Sequence, residues 1–221
     1  MDITWFGRSC FRLQSGQVSV LTDPYDLPRG APPLAADIVT LSSREARGRL
    51  ATRAPHRVVD GPGEYEIKGI PVTGIATPAP QAPASAEGGE GGEGGAPAYG
   101  GRRNLVYTIL LGGVAVCHLG RLNRPPTAQQ IQEIGLPDVV LLPLGEPYGL
   151  PVQRAVELAS QLEAKVLVPM TLGGPNDRAA LEGFCRELGA DPAAVEPSLS
   201  LTPSGLPVQA RVAPLAAQEP S

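Results

Sequence analysis

The feature that most constrains the fold of this 221-residue chain is a change of pattern midway along it. The first half consists of short β-rich runs separated by Gly, Ser, Pro and Asp, whereas the second half alternates apolar runs with helical patterns. Two of the later runs, Asp138–Leu142 and Lys165–Met170, are almost wholly apolar, which is typical of strands covered on both faces. The chain is therefore predicted to be an α/β protein in which two sheets pack together with helices outside.

Three helices are predicted in the second half. Thr127 and Gln130 have the spacing of a capping box, which favours a helix beginning there. Apolar residues recur at helical spacing from Pro151 to about Glu163, and Asn176 is in position to cap a third helix.

A long polar segment interrupts the first half. Residues 77–103 are rich in Pro and Ala and then repeat a Gly-Gly-Glu triplet, a composition that cannot bury enough apolar surface to offset chain ordering. We expect a mobile acidic loop within a single domain spanning residues 1–214, followed by a disordered tail at 215–221.

Composition bears on partners and on cellular location. A net charge of −4 gives no electrostatic reason to expect nucleic acid or an anionic membrane as a partner. No apolar run approaches the roughly 20 residues needed to span a bilayer. The opening run lacks the regions of a signal peptide, and the odd number of scattered cysteines argues against a disulfide framework. We expect a cytoplasmic protein with free thiols.

Four segments carry a family resemblance. They are Trp5–Phe11, Thr22–Asp26, Asp60–Ile67 and His118–Arg121. The order of these segments and their residue types resemble those of the metallo-β-lactamase superfamily, in its lactonase-like branch of small bacterial proteins. The resemblance covers about residues 1–76 and 104–172. The resemblance implies a four-layer αββα sandwich, with the site in a groove formed by the loops that follow strands.

The resemblance also implies where metal ligands would stand. Hydrolases of this superfamily cluster histidines and aspartates around one or two metal ions, which activate a bound water. The principal ligand motif, Ser-His-x-His-x-Asp-His, corresponds here to residues 42–48. The four ligand positions of that motif hold Ser43, Glu45, Arg47 and Gly48.

The remaining ligand segments depart from the pattern as well. Arg8 stands where the family has its first histidine, and Thr171 stands at the late histidine. Arg121 and Arg124 replace an aspartate and a histidine. A further histidine expected after Thr77 falls near Ala79. Because arginine can neither ligate a metal nor lose its proton, these changes predict a protein without a metal cofactor.

Few metal donors are left. They are His118, Glu45 and Asp23, because Cys117 precedes His118 in a strand and points to the opposite face. We expect His118 to be a partly buried, hydrogen-bonded histidine, Asp23 to order the turn that follows it, and His56 to lie at the surface.

The replacements suggest a different chemistry. If Arg8, Arg47, Arg121 and Arg124 come from loops that meet, their guanidinium groups form a pocket for a small anion, since guanidinium binds carboxylates and phosphates in a planar, bidentate manner. In the competing interpretation the arginines arose by drift and point into solvent.

Three functional interpretations remain open. The first is a pseudoenzyme that binds a small anion in the arginine-lined groove or acts through a protein partner. The second is a lactonase- or esterase-like hydrolase with an atypical single-metal site, holding one zinc or similar ion on His118, Glu45 and Asp23. The third is a decaying gene product with little function.

Overall fold

The computed structural model describes residues 1–25, 27, 33–53, 56–78 and 103–219, without the side chain of Glu45. In chain order the strands are β1 (Asp2–Trp5), β2 (Phe11–Ser15), β3 (Val18–Thr22), β4 (Leu34–Ala35), β5 (Ile38–Thr40), β6 (Thr52–Arg53), β7 (Arg57–Val59), β8 (Gly63–Ile67), β9 (Ile70–Pro78), β10 (Arg103–Leu111), β11 (Val114–His118), β12 (Val139–Leu144), β13 (Val166–Thr171), β14 (Leu199–Ser200) and β15 (Arg211–Val212). The helices are α1 (Ala128–Ile134), α2 (Val152–Gln161) and α3 (Asp177–Glu187), with 3-10 helices at Arg44–Arg49 and Pro203–Gly205.

These strands form two large sheets and one small one. The first large sheet has the order β14-β1-β2-β3-β5-β7, and the second has the order β15-β13-β12-β11-β10-β9-β8. Strands β3, β5 and β7 run parallel to one another, as do β11, β12 and β13. Strands β4 and β6 form the small sheet.

The main core lies between the two large sheets. Alternate residues of the first sheet, such as Phe11 and Val20, face alternate residues of the second, such as Tyr107, Val116 and Leu141, and all five are fully buried. A second apolar cluster joins the outer face of the second sheet to the helices through residues such as Val140 and Phe184. Burial of these side chains, at about 25 cal/mol for each Å² of apolar surface, drives the layers together.

The αββα sandwich predicted from the resemblance is confirmed as a mixed α/β fold with two packed sheets. The three α-helices cover the second sheet. In the described part of the chain, β4 packs on the outer face of the first sheet through Leu34. A third apolar cluster lies on that face and includes Phe6, Leu34 and Val39.

The caps of α1 and α3 differ in how well the sequence predicted them. The capping box of α1 is confirmed, because Gln130 N donates to Thr127 Oγ1 at 3.3 Å and Thr127 N donates to Gln130 Oε1 at 2.8 Å. Asn176 occupies the position before α3, but its side chain makes no capping hydrogen bond. The side chain of Asp177 instead accepts from the backbone of the preceding loop.

Two segment boundaries differ from those expected. Strand β9 extends through Pro78 and β10 begins at Arg103, so the ends of the expected loop at 77–103 are strand, and its remainder, 79–102, lies outside the described residues. Leu215 and Gln218 contact the body of the protein, whereas a disordered tail was expected at 215–221. Leu215 is buried and bridges to Glu196, and Gln218 N donates to Trp5 O at 2.7 Å. No helix among the described residues has the length and apolar character to cross a bilayer.

Candidate functional site

Loops from both sheets meet at one edge of the sandwich. Ser42, after β5, accepts through its carbonyl from Leu105 N at 2.9 Å. Asn123, after β11, donates through Nδ2 to Pro147 O, after β12, at 3.2 Å. We call this region the loop edge; it comprises residues 7–10, 23–25, 41–43, 118–124, 145–148 and 171–177. Since the carboxyl ends of parallel strands converge here, this is where such a sheet presents its binding residues.

Asp23 ties two of these loops together. It is fully buried and has a positive φ of 44°, a conformation that costs a non-glycine residue about 1 kcal/mol or more. Its two carboxylate oxygens accept from Ser42 N at 2.6 Å and from Ser42 Oγ at 2.5 Å. Tyr25 OH lies 3.1 Å from the same Oγ. The Asp23 carboxylate therefore fixes the loop after β5, whereas the sequence predicted that Asp23 orders only the turn that follows it.

His118 lies in the core between the sheets. It is the last residue of β11, it is fully buried, and its ring packs edge-on against Phe11 with 6.3 Å between centroids. Burial lowers the pKa of His118 to about 3, an effect that the nearby backbone of Ser9 opposes weakly. No hydrogen bond of normal geometry reaches either ring nitrogen from the described residues. The expectation of a partly buried histidine is thus wrong, because the ring is fully buried; the expected hydrogen bond is represented by the contact with the Ser9 backbone.

Arg47 is directed to the surface. Its Nη1 lies 2.7 Å from Asp60 Oδ2, and Arg44 Nε lies 3.9 Å from the same oxygen. The Arg47 side chain is 57% exposed, so the ion pair binds the 3-10 helix to the turn after β7 in contact with solvent. Arg47 is thus engaged by Asp60 at the surface, whereas the sequence placed it in the arginine-lined pocket. His56, expected at the surface, is half-buried beside Thr52.

Arg121 is held inside the loop edge. It is only 4% exposed, and its backbone N–H donates to Asn104 Oδ1 at 2.9 Å. The preceding residue, Gly120, has a φ of +63°, and a β-carbon there would stand 2.6 Å from both Asn104 Oδ1 and Ser42 Cβ. The close approach of three segments thus requires glycine and fixes the direction of the next residue. Arg121 does not point into solvent, and Arg124, on the same loop, is half-buried.

Arg8 reaches the loop edge from the turn between β1 and β2. Its φ is +49°, and Trp5 Nε1 donates to Arg8 O at 2.8 Å, which closes the turn. The guanidinium group lies against Gly173, with Nε 3.4 Å from the point where a β-carbon on that glycine would stand. The turn therefore places Arg8 beside the loop after β13.

The described side chains do not assemble a metal site. Within the described ranges, no group of three or more His, Cys, Asp or Glu side chains is close enough to hold a metal ion, whereas a zinc site uses three or four such ligands. His118 lies in the core, Asp23 binds Ser42, and Cys117 faces the helices with its pKa raised by burial to about 12. Glu45 lies in the 3-10 helix, and its side chain is outside the description. The described donors do not fit a family metal centre.

Three residues that shape the loop edge were missed by the sequence interpretation. Tyr107 OH donates to Leu41 O at 2.9 Å and to Val59 O at 3.0 Å, which links the two sheets. Asn104 Nδ2 donates to Leu119 O at 3.1 Å, and Asp177 accepts from the loop after β13. The one feature of the sequence that could have indicated these residues is a polar side chain within or beside an apolar run.

Comparisons with known proteins agree with this architecture. A family model described as the beta-lactamase superfamily domain matches residues 2–171. A UPF0173 metal-dependent hydrolase of Methanoculleus marisnigri is 30% identical over 207 residues, which are 85% of this chain and 88% of the relative. A solved structure from Thermotoga maritima, assigned as a Zn-dependent hydrolase of the metallo-beta-lactamase superfamily, is 27% identical with a TM-score of 0.71 and covers 97% of both chains. A metallo hydrolase from Ignicoccus hospitalis, 19% identical, shares the fold with a TM-score of 0.58 over 99% of this chain and 95% of that one.

Proposed function

The chain belongs to the beta-lactamase superfamily, and from that premise we propose that it binds a small anion at the loop edge and does not carry out metal-dependent hydrolysis. Relatives are named metal-dependent hydrolases, so the proposal concerns how this member differs from them. In it, the shared framework is kept while the residues that would hold a metal are replaced.

The observation that carries the proposal is the position of Arg8, Arg121 and Arg124. The resemblance places metal ligands at these three positions, and all three residues belong to loops of the loop edge. A guanidinium cannot ligate a metal and stays protonated. A unit positive charge about 4 Å from a dication would add about 8 kcal/mol of repulsion at an effective dielectric constant of 20.

The same groups favour an anion. Guanidinium offers several N–H donors in a planar fork that matches a phosphate or a carboxylate. Arg121 is nearly inaccessible to water, and charge interactions are stronger where water is excluded. The fixed loop around Gly120 also limits the ordering cost of binding, since the backbone is already held.

A single-metal hydrolase that uses His118, Glu45 and Asp23 is the second candidate, because the relatives are named metal-dependent hydrolases. The buried, core-facing ring of His118 counts against it. Action through a protein partner and a cytoplasmic location both stay predictions.

Calorimetric titration with phosphate and pyrophosphate tests the proposal. Arg8→Ala and Arg124→Ala should each weaken binding about 10- to 100-fold, since a charge-assisted hydrogen bond contributes about 1.5–3 kcal/mol. Arg154→Ala is the matched control, because Arg154 is exposed on α2 and pairs with Glu157. Circular dichroism verifies that each variant is folded.

Metal analysis of protein purified without chelator separates the two candidates. We expect substoichiometric zinc, manganese and iron, and no lactonase or esterase activity on adding them. Stoichiometric metal that is lost together with activity, or unchanged phosphate affinity in both arginine variants, would refute the proposal.

A further inference from the structure

We propose that Asp177 is a positioning residue for Arg8 and sets the affinity of the loop edge for its anion. This inference rests on the proposed function and adds a residue outside the segments that resemble the family ligand motifs. Asp177 begins α3 and follows the loop after β13.

Asp177 fixes the backbone on which Arg8 rests. Its Oδ2 accepts from Gly173 N at 2.8 Å and from Gly174 N at 3.0 Å. Gly173 has a φ of +86°, so the loop makes a tight turn that glycine adopts without strain. One carboxylate oxygen therefore holds two successive amides and determines the shape of this loop.

The Arg8 side chain packs on that same turn. Its Nε and Nη2 lie 3.4 Å and 3.5 Å from the point where a β-carbon on Gly173 would stand. The Nε and Nη2 edge of the guanidinium thus lies beside Gly173, where there is no side chain. If the turn relaxed, the support that directs Arg8 toward the loop edge would be lost.

Asp177 also acts on Arg8 by its charge. Burial raises the pKa of Asp177, and its backbone donors together with the positive charge of Arg8 lower it. Its second oxygen, Oδ1, is buried against Gly145 and accepts no hydrogen bond from the described residues. The carboxylate therefore attracts the guanidinium to the turn and competes with an incoming anion for it.

These two roles make opposite predictions for two substitutions. Asp177→Asn keeps an oxygen acceptor for the loop but removes the competing charge, so phosphate affinity should rise about fivefold. Asp177→Ala removes the acceptor as well, and affinity should fall about fivefold because Arg8 is no longer positioned. Asp191→Asn is the matched control, since Asp191 is exposed and accepts from Ala193 N in a similar local turn.

Tryptophan fluorescence reports on positioning separately from affinity. Trp5 is the single tryptophan of the chain, and its indole N–H binds the carbonyl of Arg8. Without phosphate, Asp177→Ala should shift the Trp5 emission while Asp177→Asn leaves it as in the wild type.

The outcomes distinguish the inference from the proposed function. If the wild type binds neither phosphate nor pyrophosphate, the proposed function fails and the inference fails with it. If the wild type binds and Arg124→Ala weakens binding, but Asp177→Asn does not bind more tightly, the inference alone is overturned. Tighter binding by Asp177→Asn with an unchanged Trp5 emission supports it.

Discussion

Removing the hydroxyl of Tyr107 should weaken the junction between the two sheets. This hydroxyl, on β10 of the second sheet, donates to Leu41 O and Val59 O of the first. Val59 O also accepts from Leu41 N at 3.0 Å, so it keeps a donor in Tyr107→Phe. Leu41 O would lose the hydroxyl donor, and a buried carbonyl left without a partner costs about 1–3 kcal/mol.

Urea denaturation measures this loss as a change in the free energy of unfolding. We expect a decrease of about 2 kcal/mol, which corresponds to a fall in Tm of about 4–8 °C for a chain of this size. Tyr65→Phe is the matched control. Tyr65 is half-buried and donates over longer distances to Gly61 O and Pro62 O, at 3.2 and 3.3 Å, so its loss should cost less than about 0.5 kcal/mol.

Tyr107→Phe should also change how the free energy of unfolding depends on pH in alkaline solution. Burial raises the pKa of Tyr107 far above its ordinary value of 10.0. Above pH 10 the unfolded chain releases the phenolic proton while the folded protein keeps it, so stability falls as pH rises. Tyr107→Phe should have a shallower decline there. Equal destabilisation by Tyr107→Phe and Tyr65→Phe would refute the assigned role of the hydroxyl.

Three further perturbations test other parts of the structure. Burial lowers the pKa of His118 from 6.5 to about 3. As pH falls through this range the unfolded chain binds the proton and the folded protein does not, so the free energy of unfolding should fall by up to about 1.4 kcal/mol per pH unit. His118→Leu should flatten that slope in acid titrations. Gly120→Ala should lower Tm by several degrees more than Gly135→Ala, because both glycines have positive φ but only the first would place a β-carbon against neighbouring segments; equal shifts would argue against crowding. A chelator should leave Tm unchanged, since a ligand that binds only the folded state stabilises it and its removal would be visible in calorimetry.

The local pattern of the chain predicts much of the fold. The apolar run at Asp138–Leu142 appears as β12, and the helical spacing from Pro151 to Glu163 contains α2. These elements depend on periodicity and capping, which act over a few residues. The face of the sheet on which His118 lies was also predictable. Side chains alternate along a strand, so His118 lies on the same face as Val116 and Val114, which face the core.

The candidate site was less predictable because its contacts join distant parts of the chain. The contact of Arg8 with Gly173 joins residues 165 positions apart in the chain, and no short-range pattern indicates it. The capture of Arg47 by Asp60 depends on how the 3-10 helix meets the turn after β7. Long side chains have many rotamers, so their partners are settled by tertiary packing rather than by sequence position.

The segments that match the family best and the segments that depart from it have different tasks in the structure. Asp23 and Asp60, in matching segments, bind Ser42 and Arg47 and thereby hold loops together. Arg8 and Arg121 stand where the resemblance implies metal ligands, and the turn closed by Trp5 and the backbone around Gly120 fix their positions. Because the framework and the charged groups are held by separate contacts, the proposed exchange of ligands for arginines would change the chemistry of the loop edge without dismantling it. A fold match alone therefore does not establish hydrolysis, because the contacts that stabilise the fold are separate from the charged groups that would determine the reaction.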